Sequence, residues 1–200
     1  MSSDFTQQIL SAGVAAVEAY LKCAGPGFAE DSVGERSLST FMAIELHNRY
    51  AMHAVPEARY TDLAKHLHIE MDKERKRSLL GLHADIALYD GGRPVALIEL
   101  KILSDGKDKL GELARDLKKG DPAKLSETIP VYAAALICQT EKQKTLDEQT
   151  RRVEQAAGRS MEYSVPTPTI MPTDSAEKWH WCFGCVQRSD RAAIGAAASA

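Results

Sequence analysis

Apolar positions recur at helical spacing over residues 5–22, where Ile9, Leu10, Val14, Val17, Tyr20 and Leu21 fall on one side of a helix. Gly25-Pro26-Gly27 ends that run. A second helix is expected from about Glu35 to Tyr50, with Leu38, Phe41, Met42 and Leu46 as its apolar stripe. A short strand is expected around Val55–Tyr60, and residues 61–80 read as a polar, basic insertion, helical or mobile. The period then changes. His83–Tyr89 alternates and is rich in strand formers, Asp90-Gly91-Gly92 is a hairpin signal, and Val95–Leu103 is an almost continuously apolar second strand of the kind found inside a sheet. A polar helix is expected over residues 107–119, closed by Gly120-Asp121-Pro122. After it come a buried strand, Ile129–Cys138, a helix, Leu146–Ala157, ended by Gly158, a loop marked by Pro166, Pro168 and Pro172, and a last strand, Trp179–Gln187. No internal repeat is visible. This order predicts one α/β domain over residues 1–190, a central mixed sheet flanked by helices, with a disordered small-residue tail over 191–200.

The pattern breaks at one place. Glu99 and Lys101 interrupt the most apolar strand, and by strand alternation they share one face while Ile98, Leu100 and Ile102 share the other. Charges are rarely buried without partners, and a lone Glu–Lys pair is an expensive element of a central strand. Asp85 lies on the preceding strand. With a three-residue loop, Gly91 to Arg93, Asp90 opposes Pro94 and Asp85 opposes Glu99, which places their Cβ atoms about 5 Å apart. Two carboxylates that close repel unless a proton or a cation joins them. Mg²⁺ or Mn²⁺ fits, because such hard ions take one or two carboxylates and keep several waters. A bound water acidified by the metal is a usable nucleophile, and a lysine two residues on is placed to orient it or to steady developing negative charge. Hydrolysis of a phosphodiester needs these parts.

His83-Ala-Asp85-Ile-Ala-Leu-Tyr followed by Val-Ala-Leu-Ile-Glu99-Leu-Lys101 resembles the core motif of the PD-(D/E)XK nuclease superfamily, whose fold is restriction-endonuclease-like. Ala84 stands where the motif usually has proline. The resemblance, which spans about residues 34–138, implies Asp85 and Glu99 as metal ligands, the Leu100 carbonyl as a further ligand, and Lys101 as the catalytic lysine. It also implies an acidic residue on a preceding helix. Gly34-Glu35-Arg36-Ser37-Leu38 resembles that helix start and makes Glu35 the candidate, with Glu45 as rival, since both fall on the apolar side of the helix and phase alone does not choose. The helix after the core resembles one in which a basic residue approaches the site, here Lys118 or Arg115, and Arg115, Lys118 and Lys119 are its candidates for contact with nucleic acid.

Composition adds limits. The chain has 200 residues, 44% hydrophobic and 26% charged, ordinary values for one globular domain. A net charge of −3 argues against a nucleic-acid packaging protein, though not against an enzyme with local phosphate contacts. Only the middle third carries a basic excess, and it holds Lys73-Glu74-Arg75-Lys76-Arg77. That run is either a solvated face or a phosphate-contacting segment, in which Arg75, Lys76 and Arg77 would touch nucleic acid. Four cysteines without framework spacing, no apolar run long enough to span a bilayer and no basic leader point to the cytoplasm and to no membrane partner. Cys182-Phe-Gly-Cys185 reads as structural or as half of a zinc site, and His83 shares a strand face with Asp85. The expected function is Mg²⁺- or Mn²⁺-dependent cleavage of nucleic acid, DNA in preference to RNA, by a possible homodimer. The alternative is a nuclease-like domain that binds protein or nucleic acid without cutting.

Overall fold

In a computed structural model, the structure describes residues 2–25, 33–103, 125, 128–139, 143–165, 167–169 and 179–187. The expected helix over 107–119, with Arg115, Lys118 and Lys119, and the expected tail over 191–200 lie outside the described residues.

The first helical stripe becomes α1 (Ser2–Ala24), which buries Ile9, Ala12, Ala16 and Val17. Its Gly13 has a packing reason. A Cβ there would stand 2.5 Å from the Phe183 ring, so only a bare backbone lets the helix press this closely on the sheet. The second stripe becomes α2 (Glu35–Tyr50), with Leu38, Met42 and Leu46 fully buried one turn apart. β1 (His53–Arg59) follows, and the insertion folds as two short helices, α3 (Tyr60–His66) and α4 (Lys73–Ser78). Tyr60, expected to end the strand, opens α3 instead.

β2 (His83–Asp90) and β3 (Arg93–Leu103) form the expected hairpin, with a different turn. Asp90 pairs with Arg93, so the loop is the two residues Gly91 and Gly92, both at positive φ as a type I′ turn requires. A bulge between Leu88 and Tyr89 on the ladder then restores the register, and Leu88, Ala87 and Ile86 face Ala96, Leu97 and Ile98. A shorter turn and a bulge therefore reach the expected alignment as far as Ile86–Ile98, where the ladder ends one pair short of Asp85 and Glu99.

β4 (Val131–Gln139) lies parallel to β3, and β7 (Trp179–Gln187) lies antiparallel to β4. Between them are α5 (Gln143–Ala157) and two short strands, β5 (Glu162–Tyr163) and β6 (Thr167–Thr169), both paired with β7. The segment read as a proline-marked loop thus contributes sheet, with Pro168 opposite His180. Among the described residues the sheet has seven strands in the order β1-β2-β3-β4-β7-β5, with β6 also on β7. Pro56 is tolerated in β1 because β1 is an edge strand.

Helices α1 and α2 cover one face of this mixed sheet, where Ile86, Ile98, Leu100, Ile102, Leu136 and Phe183 join the main core. The opposite face carries two smaller apolar clusters. One packs Leu63 and Ala64 of α3, Leu67 just past its end, and Leu79 against Ala87 and Leu97. The other packs Leu146 and Val153 of α5 against Leu103, Ala135, Ile137 and Cys182. Leu97 belongs to the first cluster and Leu103 to the second. Strand alternation puts Glu99 and Lys101 on the same face, in the interval between them.

Candidate functional site

Backbone hydrogen bonding explains how the site is held. The Leu97 N–H donates to the Pro130 carbonyl at 3.0 Å, on the β4 side of β3. Alternation then turns the N–H groups of Ile98, Leu100 and Ile102 toward β2. Past the bulge, the ladder with β2 keeps one register from Leu88–Ala96 to Ile86–Ile98. Beyond it β2 stays with β1, to the Arg59–His83 pair, while β3 continues beside β4 to Leu103. Two carboxylates take over the acceptor role along the parted edge. The Leu100 N–H donates to Asp85 Oδ2 at 2.6 Å, and the Ile102 N–H donates to Glu35 Oε1 at 3.4 Å. Buried backbone donors require acceptors, and here acidic side chains supply them.

Lys101 Nζ lies 3.5 Å from Glu35 Oε2, with the two side chains 20% and 33% exposed. The Tyr60 hydroxyl donates to Glu99 Oε1 at 2.5 Å. The structure therefore brings together Glu35, Asp85 and Lys101 from α2, β2 and β3, while Glu99, on the same face of β3 as Lys101, is held by Tyr60 of α3. It also separates the two helix candidates. Glu45 accepts from Arg49 Nε at 2.7 Å, one turn along the same helix, and stands outside this network. His83 is exposed at the start of β2. Arg75, Lys76 and Arg77 sit on α4, with Lys76 and Arg77 exposed and Arg75 half-buried.

Two members were not apparent in the sequence. One is Tyr60, the partner of Glu99. The other is Glu57, which falls opposite Asp85 where the β1–β2 register passes from Pro56–Ile86 to Ala58–Ala84. Its φ of 53° is a left-handed conformation inside a strand, rare for a residue with a side chain. Arg36 pairs with it at 3.5 Å.

Electrostatics mark Asp85 as the strained group. Burial pushes its carboxyl above the ordinary range, while the Leu100 N–H and Lys101 pull it down and the charges of Glu35 and Glu57 push it up again. A cation beside Asp85 would relieve that balance. Asp85, Glu99 and the Leu100 carbonyl make an all-oxygen donor set, the chemistry of Mg²⁺ and Mn²⁺. Among the described residues no group of three or more His, Cys, Asp or Glu stands close enough to hold a metal ion, so such a site would rest on two carboxylates.

The cysteine pair has another role. Cys182 is buried in the cluster under α5 and Cys185 in the main core, on opposite faces of β7. Burial pushes both thiols up to about 12. Side chains on opposite faces do not share one tetrahedral ion, so both are core residues. No helix among the described residues is long and apolar enough to cross a membrane.

The fold and the site define an α/β protein whose mixed sheet is flanked by helices and whose carboxylate–lysine cluster sits where two strands part. No protein-family model, curated protein or solved structure matches the chain.

Proposed function

We propose that the chain is a metal-dependent nuclease of the restriction-endonuclease-like kind, hydrolysing phosphodiester bonds in nucleic acid, DNA in preference to RNA. The observation that carries this reading is the parted edge of β3, where Asp85 and Glu35 accept the Leu100 and Ile102 N–H groups beside Glu99 and Lys101. A purely structural sheet would continue its ladder there. Asp85, Glu99 and the Leu100 carbonyl would hold Mg²⁺ or Mn²⁺, which supplies an acidified water and positive charge at the phosphate. Glu35 holds the Lys101 ammonium in place, and that ammonium orients the attacking water and stabilises charge growing on the phosphate oxygens. Tyr60 fixes the Glu99 carboxylate.

A panel of single-stranded, double-stranded, branched and RNA substrates with Mg²⁺ or Mn²⁺ tests the proposal. Cleavage by the wild type and its loss in Glu99→Ala support it. Wild-type rates in Lys101→Ala protein would sink the mechanism. One rival is a domain of this shape that binds protein or nucleic acid without cutting; among the described residues no group of three metal-ligating side chains converges. A Mn²⁺ titration separates the two, because that rival shows neither heat nor thermal shift.

A further inference from the structure

A cavity of about 440 Å³ lies between α3 and α4, away from the cluster at the parted strands. Its size is that of a small-ligand pocket. Lys73, Lys76, Arg77 and Leu80 line it at the spacing of a single helix face, and Thr61 and Lys65 of α3 together with Met71 complete the wall. Arg75, in the middle of the same basic run, is absent from the lining. The structure thus sorts the run into a face that serves the cavity and a residue that does not.

The lining contains four cations and no acid. Of the acids nearby, one caps a helix and one pairs with a lining cation. Asp72 caps α4 by accepting the Arg75 N–H at 2.7 Å, and Asp62 pairs with Lys65 at 3.1 Å in an exposed contact of small worth. Among the described residues no acidic side chain pairs with Lys73, Lys76 or Arg77. Leu80 is 71% exposed amid these charges, which leaves its side chain open to a ligand. The cavity is also tied to the proposed site. Helix α3 begins at Tyr60, which holds Glu99, and its Leu63 and Ala64 pack with Leu97 on the Glu99 face of the sheet.

We propose that this cavity binds an unpaired DNA strand, with Lys65, Lys73, Lys76 and Arg77 on phosphates and a base face against Met71 and Leu80. The proposal rests on the nucleic-acid reading above and deepens it by naming the form of strand held. Cations around an apolar floor suit a splayed nucleotide, whose phosphate and base face are both accessible, whereas a duplex keeps its base faces stacked. A bilayer is a poorer match. Interfacial insertion uses a long amphipathic helix, and α4 has six residues beside a concavity.

The test is fluorescence anisotropy of the full chain with labelled oligothymidylate and with a duplex of equal length, over a salt series in chelator. The single strand is expected to bind at least tenfold more tightly than the duplex. Lys73→Gln/Lys76→Gln/Arg77→Gln protein, shown by its thermal melt to be folded, is expected to lower the slope of log affinity against log salt by about 2. Leu80→Ser should weaken single-strand binding about fivefold and leave the slope unchanged. Equal or tighter duplex binding, or an unchanged slope in the triple variant, overturns the proposal. So does tighter binding of polyglutamate or of phosphatidylserine vesicles. Binding in chelator involves no cleavage. A protein that binds as described and never cuts refutes the nuclease reading alone, and one that cuts yet lacks this binding refutes the cavity alone.

Discussion

The two edges of β3 do opposite things with the same backbone. Toward β4 the strand is in register from Leu97–Val131 to Leu103–Ile137, and the residues facing it are mostly alanine and aliphatic. Toward β2 the ladder is regular only to Ile98, and side-chain carboxylates receive the next two N–H groups turned that way. The first edge satisfies its donors in the way that contributes most to a fixed structure. The second leaves acidic groups half-buried, with Asp85 pushed above its ordinary range by burial and by Glu35 and Glu57. On the nuclease reading proposed above, chemistry depends on this arrangement, which lies where a fully paired ladder would satisfy the same donors.

If this contrast is correct, neighbouring residues of β3 should fail in different ways. Lys101→Ala and Glu99→Ala are expected to lower cleavage by about 10²- to 10⁴-fold with a nearly unchanged melt. Leu100→Ala removes a side chain that is 0% exposed in the main core. It should cost about 2–5 kcal/mol of stability, read from denaturant unfolding, and lose activity only in proportion to unfolded protein. A large stability loss in Lys101→Ala would erase the distinction between the two faces.

A smaller effect sharpens the comparison through pH. The Asp85 carboxyl is raised above its ordinary 3.8 in the folded chain. The folded state therefore favours its protonated form. Stability linked to this group is fully present below pH 3.8 and is lost as pH rises through the higher folded value. Asp85→Asn, neutral throughout, is expected to raise Tm at pH 7, and the gain should vanish toward pH 3. Mn²⁺ should stabilise the wild type but not Asp85→Asn at pH 7, which narrows the gap. A variant less stable than wild type at pH 7 would show that the Leu100 hydrogen bond outweighs the burial.

Much of this contrast can be traced in the sequence, unevenly. Leu38, Met42 and Leu46 announce α2, and the charges at Glu99 and Lys101 mark β3 because they violate its apolar run. The alignment of β2 with β3 as far as Ile86–Ile98 is legible although the turn has two residues and not three, since the shorter loop and the bulge compensate. Glu57 could not be placed in this way. Strands β1 and β2 are separated by α3 and α4, so no local turn fixes their register. Tyr60 finds Glu99 only through the tertiary fold, and β5 and β6 are too short to show a period. The choice between Glu35 and Glu45 was closed to helical phase because both lie on the packed side. It is decided by which end of α2 reaches the parted strands.

The smallest expected effect concerns Glu57. Its backbone lies at a φ of 53°, where a side chain costs about 1–2 kcal/mol and glycine almost nothing. Its pair with Arg36 is exposed and contributes little. Glu57→Gly and Glu57→Ala both remove the charge that pushes Asp85 up, but only glycine also relieves the backbone. The glycine variant also has the more flexible unfolded chain, which offsets about 0.5–1 kcal/mol of that relief. Glu57→Gly is therefore expected to be more stable than Glu57→Ala by about 0.5–1 kcal/mol, measured from urea midpoints at equal m. If the alanine variant is the more stable, the left-handed residue is not strained, and β1 meets the parted edge without stored energy. If the order holds and both variants cut at the wild-type rate, the Glu57 carboxylate contributes nothing to catalysis, and the chemistry is confined to the residues on α2, β2 and β3.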